Sequence, residues 1–171
     1  ENRMVIRLSD SPTLDRLDQR ITRWMADHGL TMLRLALGVI FLWFGALKLI
    51  PGLSPAETLA GQTIEVLTFG LVPASVAVPF LGLWECVIGI GLLTGMWMRA
   101  TLALLFVQML GTITPLFLFP DQTWDVFPIA PTLEGQYIIK NAVLVAGAVV
   151  LGATVRGGGL SPEPGEPPKP S

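Results

Sequence analysis

Hydrophobic and polar positions divide the chain into four long apolar runs, Leu30–Ile50, Pro73–Trp97, Ala100–Phe119 and Gln136–Val155. Each reaches the roughly 20 residues that an α-helix needs to cross the hydrocarbon layer of a bilayer. The pattern predicts an all-α polytopic membrane protein, a four-transmembrane-helix bundle. Ahead of the first run, Leu14, Leu17, Ile21, Trp24 and Met25 recur at helical spacing, with Arg and Asp on the other faces. That is the periodicity of an N-terminal amphipathic helix lying along the membrane interface, and Ser11-Pro12 supplies an N-cap and a first helical position. Ser54 and Glu57 have capping-box spacing, which places a short helix over the outer face. Pro120, Pro128 and Pro131 interrupt any apolar period between 120 and 135, so irregular backbone is expected there. The organisation is then a segment 1–29 with the amphipathic helix, a four-helix domain 30–156, and a Gly/Pro-rich tail 157–171 without packed structure of its own. The first run follows a charged segment of 29 residues and exceeds a signal-peptide core in length, so all four spans are expected in the mature protein.

Composition strengthens this picture: 51% of the residues are hydrophobic and only 14% charged. Ten charged residues fall within Glu1–Asp27, against eight in the far longer stretch Gly29–Leu133. The net charge of −2 and the lack of a Lys/Arg cluster interleaved with aromatics argue against nucleic acid as a partner. One cysteine, Cys86, and one histidine, His28, leave no internal disulfide, no CxxC pair and no His-rich metal site within this chain. Cys86 reads as an inert core residue and His28 as an exposed residue at the inner interface. Arg3, Arg7, Arg16, Arg20, Arg23, Arg99 and Arg156 flank one side of the spans, whereas connections 51–72 and 120–135 hold Glu57, Glu65, Asp121, Asp125 and Glu134 with no Lys or Arg. The positive-inside rule then places both termini in the cytoplasm, with Trp24 and Trp97 at the inner interface and Trp124 near the outer one.

Ionisable residues inside a span are costly and therefore informative, at about 2.5–3.5 kcal/mol each near the helix centre on insertion scales. Arg34 and Lys48 share one stripe of span one with Phe41 and Gly45, at opposite leaflets, where both can snorkel to headgroups. Glu85, near the middle of span two, is beyond snorkelling reach and needs a partner or a proton. Gly82 and Gly89 share its face and invite close approach of a neighbouring helix. Gln108, Thr112 and Pro115 share a face of span three, and Lys140 lies near the outer end of span four with Tyr137 and Gly147 near its stripe. These positions predict a polar pocket toward the outer leaflet, bordered by Lys48, Glu85, Gln108, Thr112 and Lys140, with Glu85 paired to Lys140 on grounds of depth. Either the polar residues hold the bundle together or they bind a ligand or handle a proton. With two lysines sharing one carboxylate, an anion, a lipid headgroup or a quinone oxygen could use the spare positive charge.

The run from Arg34 to Pro51, with Phe41, Trp43, Gly45 and Lys48 in place, resembles the R-x6-F-x-W-x-G-x2-K-x2-P signature of the YkgB-like (RclC-like) inner-membrane proteins of the DoxX-like superfamily. Three further blocks resemble it in order: Glu85 to Gly89, Thr114-Pro115-Leu116, and Gly135 to Asn141. Gln136 and Asn141 stand where that family usually has Arg and Asp. The resemblance implies a four-helix bundle of the bacterial inner membrane, with a role in oxidative or reactive-chlorine stress resistance or as an accessory subunit of a larger membrane complex. Relatives in the superfamily also make a quinone-linked redox subunit an alternative, and a small oligomeric transporter or anion channel is a second one. No catalytic residue is carried over, and no cofactor is implied beyond quinone or lipid. Expected partners are the bilayer and either other membrane subunits or further copies of the chain.

Overall fold

A 37-residue helix, α1 (Pro12–Lys48), opens the computed structural model, which describes residues 12–55 and 57–161. It is followed by α2 (Glu57–Leu67), α3 (Ala74–Thr94), α4 (Met98–Ile113), the single turns α5 (Pro115–Leu118) and α6 (Pro120–Thr123), strands β1 (Trp124–Val126) and β2 (Ala130–Pro131), and α7 (Leu133–Thr154). Four helical stretches, 13–48, 74–94, 98–118 and 133–154, are long and apolar enough to cross a membrane. They run alternately up and down and close a ring in which α1 packs on α3, α3 on α4, α4 on α7, and α7 on α1. The core of that ring draws on every span: Leu37 and Phe41 from α1, Ile88 and Leu92 from α3, Leu102 and Leu105 from α4, Ala148 and Leu151 from α7. The outward faces keep large apolar side chains such as Phe80, Val107 and Val143 exposed, as a lipid solvent allows.

Local chemistry fixes the helix ends. Gly95 takes the left-handed conformation (φ 72°) and closes α3 with its N–H on the Gly91 carbonyl. The Thr132 hydroxyl accepts from the Gly135 N–H at 3.2 Å and caps α7. Span three is broken near its end because Pro115 has no N–H to give. The Gly111 carbonyl accepts instead from the Thr114 N–H (3.2 Å) and Thr114 Oγ1 (2.7 Å), and the chain resumes as α5.

Three expectations change. The amphipathic stretch is helical, but no break separates it from the first span, so it continues the axis of α1 instead of turning along the membrane surface. Its expected cap, Ser11, and tail residues 162–171 lie outside the described residues. The helix predicted after Ser54 is α2, yet Glu57 accepts from the Gly52 N–H (2.8 Å) where a capping box would use the Ser54 N–H. The connection 120–135, expected to be irregular, forms a small antiparallel hairpin pairing Trp124 with Pro131 and Val126 with Ala130. Side chains hold it: Trp124 Nε1 donates to the Leu116 carbonyl (3.0 Å) and Thr132 Oγ1 to that of Gln122 (2.7 Å). Helix α2 packs on α3, and Gln122 donates to Gln62 (3.2 Å), tying α6 to α2 over this end of the ring.

Candidate functional site

Helices α1 and α3 meet along a seam of glycines. A Cβ added at Gly45 would stand 2.8 Å from the Cys86 nitrogen and the Gly82 oxygen, and one at Gly89 would stand 2.5 Å from the Leu42 nitrogen. Such backbone-to-backbone contact is the purpose of small residues between membrane helices. Gly38 belongs to the same seam, against Leu93. Sequence reasoning missed it, although its seven-residue spacing to Gly45 matches that of Gly82 to Gly89. Gly147 faces Leu33 and Leu37 and brings α7 onto α1.

The seam carries the charges. Lys48 Nζ lies 2.6 Å from Glu85 Oε2, with side-chain exposures of 9% and 10%. A Cβ at Gly45 would also stand 2.8 Å from Glu85 Cβ, and Lys48 follows Gly45 by three residues on the same helix face, so the close helix approach is what lets the ammonium reach the carboxylate. Gln108 of α4 donates through Nε2 to the other oxygen, Glu85 Oε1, at 2.6 Å. Lys48 makes a longer contact with the Phe44 carbonyl at 3.4 Å. Both carboxylate oxygens are thus met by donors from two different helices, as a buried charge requires. The acceptor Gln108 Oε1 is buried without a hydrogen-bond donor. Its orientation follows from Glu85, since turning the amide over would set two oxygens against each other.

The remaining candidates divide. Thr112 adjoins the triad through the backbone, its hydroxyl donating to the Gln108 carbonyl at 3.0 Å. Lys140 does not join it: the side chain is exposed, and its ammonium lies 5.5 Å from the centre of the Tyr137 ring. The pairing of Glu85 with Lys140 is therefore replaced by a pairing with Lys48, because the α1–α3 seam is tight while Lys140 stands on the outside of α7. Arg34 does not merely snorkel. Its Nη1 donates to the carbonyls of Leu92 and, at 2.9 Å, Leu93, placing a cation on the unsatisfied C-terminal turn of α3, where the helix dipole favours it. Cys86 is buried with Sγ 3.9 Å from the Leu42 carbonyl, and His28 is exposed, stacked on Trp24.

Lys48, Glu85 and Gln108 are buried between the helices, Thr112 is half-buried and Lys140 exposed, so the five positions do not line one pocket. An open groove of about 550 Å³ lies instead at the loop end, lined by Gly52, Ser54, Glu57, Thr58, Ala74, Ser75 and Val78. Its deepest α3 residue, Val78, is two helical turns, about 10 Å, from Glu85. Among the described residues, no three His, Cys, Asp or Glu side chains stand close enough to hold a metal ion.

A ring of four alternating apolar helices locked by a buried ion pair defines a small multi-pass membrane protein. The DoxX family model matches residues 29–120, more than half of the chain, and the chain belongs to the DoxX family. The match takes in the whole glycine seam and the Lys48–Glu85–Gln108 triad. Neither the curated proteins nor the solved structures give a match.

Proposed function

We propose that this chain is a non-catalytic integral membrane subunit of the YkgB-like branch of its family, an accessory component of a larger membrane assembly that serves oxidative-stress resistance. One observation carries the reading: Lys48, Glu85 and Gln108 direct their charge and hydrogen bonds mainly at one another, while Arg34 spends its own on the end of α3. Charges arranged in this way hold three helices in register and leave the outer surface for partners. The arginines at the end of the ring that carries the α3–α4 turn and the end of α7 support a bacterial inner-membrane location with both termini cytoplasmic. Extraction from the native membrane in a mild detergent, with mass and absorption analysis of what co-migrates, tests the reading. Recovery within a larger assembly supports it, and migration with no other subunit overturns it in favour of an autonomous stress-resistance protein.

A second reading, a quinone-linked redox subunit, is favoured by the donor-less Gln108 Oε1 beside the ion pair. That oxygen can accept from a hydroxyl, which a quinol has and a quinone lacks. On this reading Glu85→Gln abolishes turnover of the purified assembly, and unchanged turnover removes it.

A further inference from the structure

Helix α7 changes company along its length. In the half of the ring away from the loops, Gly147 faces Leu33 and Leu37 of α1, and Ala148 and Leu151 sit in the core. At the loop end α7 is held elsewhere: Gly135 stands against the Thr123 carbonyl and Pro131, beside α6 and the hairpin. Between these two anchorages α7 leans off α1.

Exposure records the parting. At about 100° per residue, Lys140 lies within about 20° of both Gly147 and Leu151, and Tyr137 within about 20° of Ala148. Ala148 is 0% exposed, yet Tyr137 is 62% exposed and Lys140 is open as well. Helix α1 behaves in the same way. Phe44 lies within about 20° of both Leu33 and Leu37, but exposure rises from 3% at Leu37 to 52% at Phe44. Lys140 and Phe44 are each seven residues, about 10 Å, beyond the contact of Gly147 with Leu37 toward the loop end. They therefore flank one gap at one height. The two helices touch below this level and separate above it, which leaves a cleft that opens sideways into the leaflet at the loop end.

The cleft holds one unmatched charge. Lys48 is taken by Glu85, whereas Lys140 forms no ion pair among the described residues and rests its ammonium 5.5 Å from the centre of the Tyr137 ring. Helical side chains tilt toward the N-terminus, here the loop end. The ammonium is thus carried up about one turn, or about 5 Å, from a Cα about 10 Å below the start of α7. That height is the boundary between acyl chains and headgroups, because the 22 residues of α7 outreach a roughly 30 Å hydrocarbon core by only about 3 Å. A cation is too costly to leave in hydrocarbon, and the anions standing at that height around an open cleft are lipid phosphates.

We propose that the cleft binds a phospholipid of the leaflet at the loop end, its phosphate on Lys140 and one acyl chain against Phe44 and Tyr137, with a preference for an anionic headgroup. A zwitterionic lipid carries a cation of its own beside the phosphate and gains less from Lys140; an anionic lipid has none and gains the full attraction. The site is independent of the accessory role proposed above and requires no other subunit.

Fluorescence quenching of the full chain in vesicles tests the site. The native Cys86 is buried, so Phe44→Cys carries a bimane label, and Ala46→Cys, exposed about 160° round the helix and about 3 Å higher, is the control. The vesicles are phosphatidylcholine with a minor fraction of acyl-brominated phosphatidylglycerol or, in parallel, of acyl-brominated phosphatidylcholine. At Phe44 the brominated phosphatidylglycerol is expected to be the more effective quencher by roughly fivefold, the preference that one lysine near a membrane surface confers. At Ala46 the two lipids are expected to quench alike. Lys140→Met is expected to abolish the preference and Lys140→Arg to retain it; the side chain is exposed, so both substitutions leave the core intact. Equal quenching by the two lipids at Phe44, the same preference at Ala46, or a preference that survives Lys140→Met overturns the proposal. Absence of quenching at Phe44 overturns it too, and gives the cleft to a protein partner.

Discussion

Replacing Lys48 by Met would leave the Glu85 carboxylate with Gln108 as its sole remaining donor, in a side chain that is only 10% exposed. Breaking a buried pair from one side costs about 3–5 kcal/mol, since the surviving charge has neither water nor counter-ion. That corresponds to a loss of roughly 150-fold or more in the folded-to-unfolded ratio. Removing both charges, as Lys48→Met with Glu85→Leu, eliminates the stranded carboxylate but leaves the Gln108 amide donor unmet, at about 1–3 kcal/mol. Adding Gln108→Leu clears that too and also removes the buried, donor-less oxygen. The expected order is thus inverted from a simple count of lost contacts: the single variant is the least stable, the double intermediate, the triple nearest to wild type. Reversible unfolding in mixed detergent–SDS micelles, followed by circular dichroism, reads the order directly. A cost below about 1 kcal/mol for Lys48→Met, or additive costs along the series, would show that the pair is not a buried, mutually dependent unit.

Other substitutions probe the seam and the helix ends by the same unfolding measurement. Gly89→Ala would put a methyl group 2.5 Å from the Leu42 nitrogen, a backbone atom that cannot step aside, and is expected to cost at least the 1–3 kcal/mol of overpacking. Gly111→Ala, with nothing within 4 Å of the added carbon, should instead gain about 0.5–1 kcal/mol through helix propensity; equal effects at the two positions would refute the seam. Arg34→Met should lose up to about 2 kcal/mol by uncovering the α3 carbonyls, with Arg34→Lys falling between. Thr132→Ala should cost about 1 kcal/mol and fray the start of α7, visible as faster amide exchange at Gly135.

The four spans were legible because lipid leaves a coarse signature: a run of about 20 apolar residues is needed whatever lies beside it. Glu85 stood out for the same reason, as did Gly82 and Gly89 on its face. What periodicity cannot give is which neighbour a face meets. Depth alone made Lys140 as good a partner for Glu85 as Lys48, and only the packing of α1 on α3 decided between them. Arg34 was placed at the correct end of its span, but its use as a cap needed the end of α3 beside it. The continuity of α1 was likewise hidden, because an amphipathic stretch followed by an apolar run reads identically whether the chain turns at Gly29 or runs straight on. Composition and period determined that this chain lives in a membrane, how many times it crosses and which residues are too costly to be idle. The pairing of those residues came from the tertiary structure, since an ion pair across two helices depends on a separation of a few ångströms set by glycines 37 to 44 positions away in sequence.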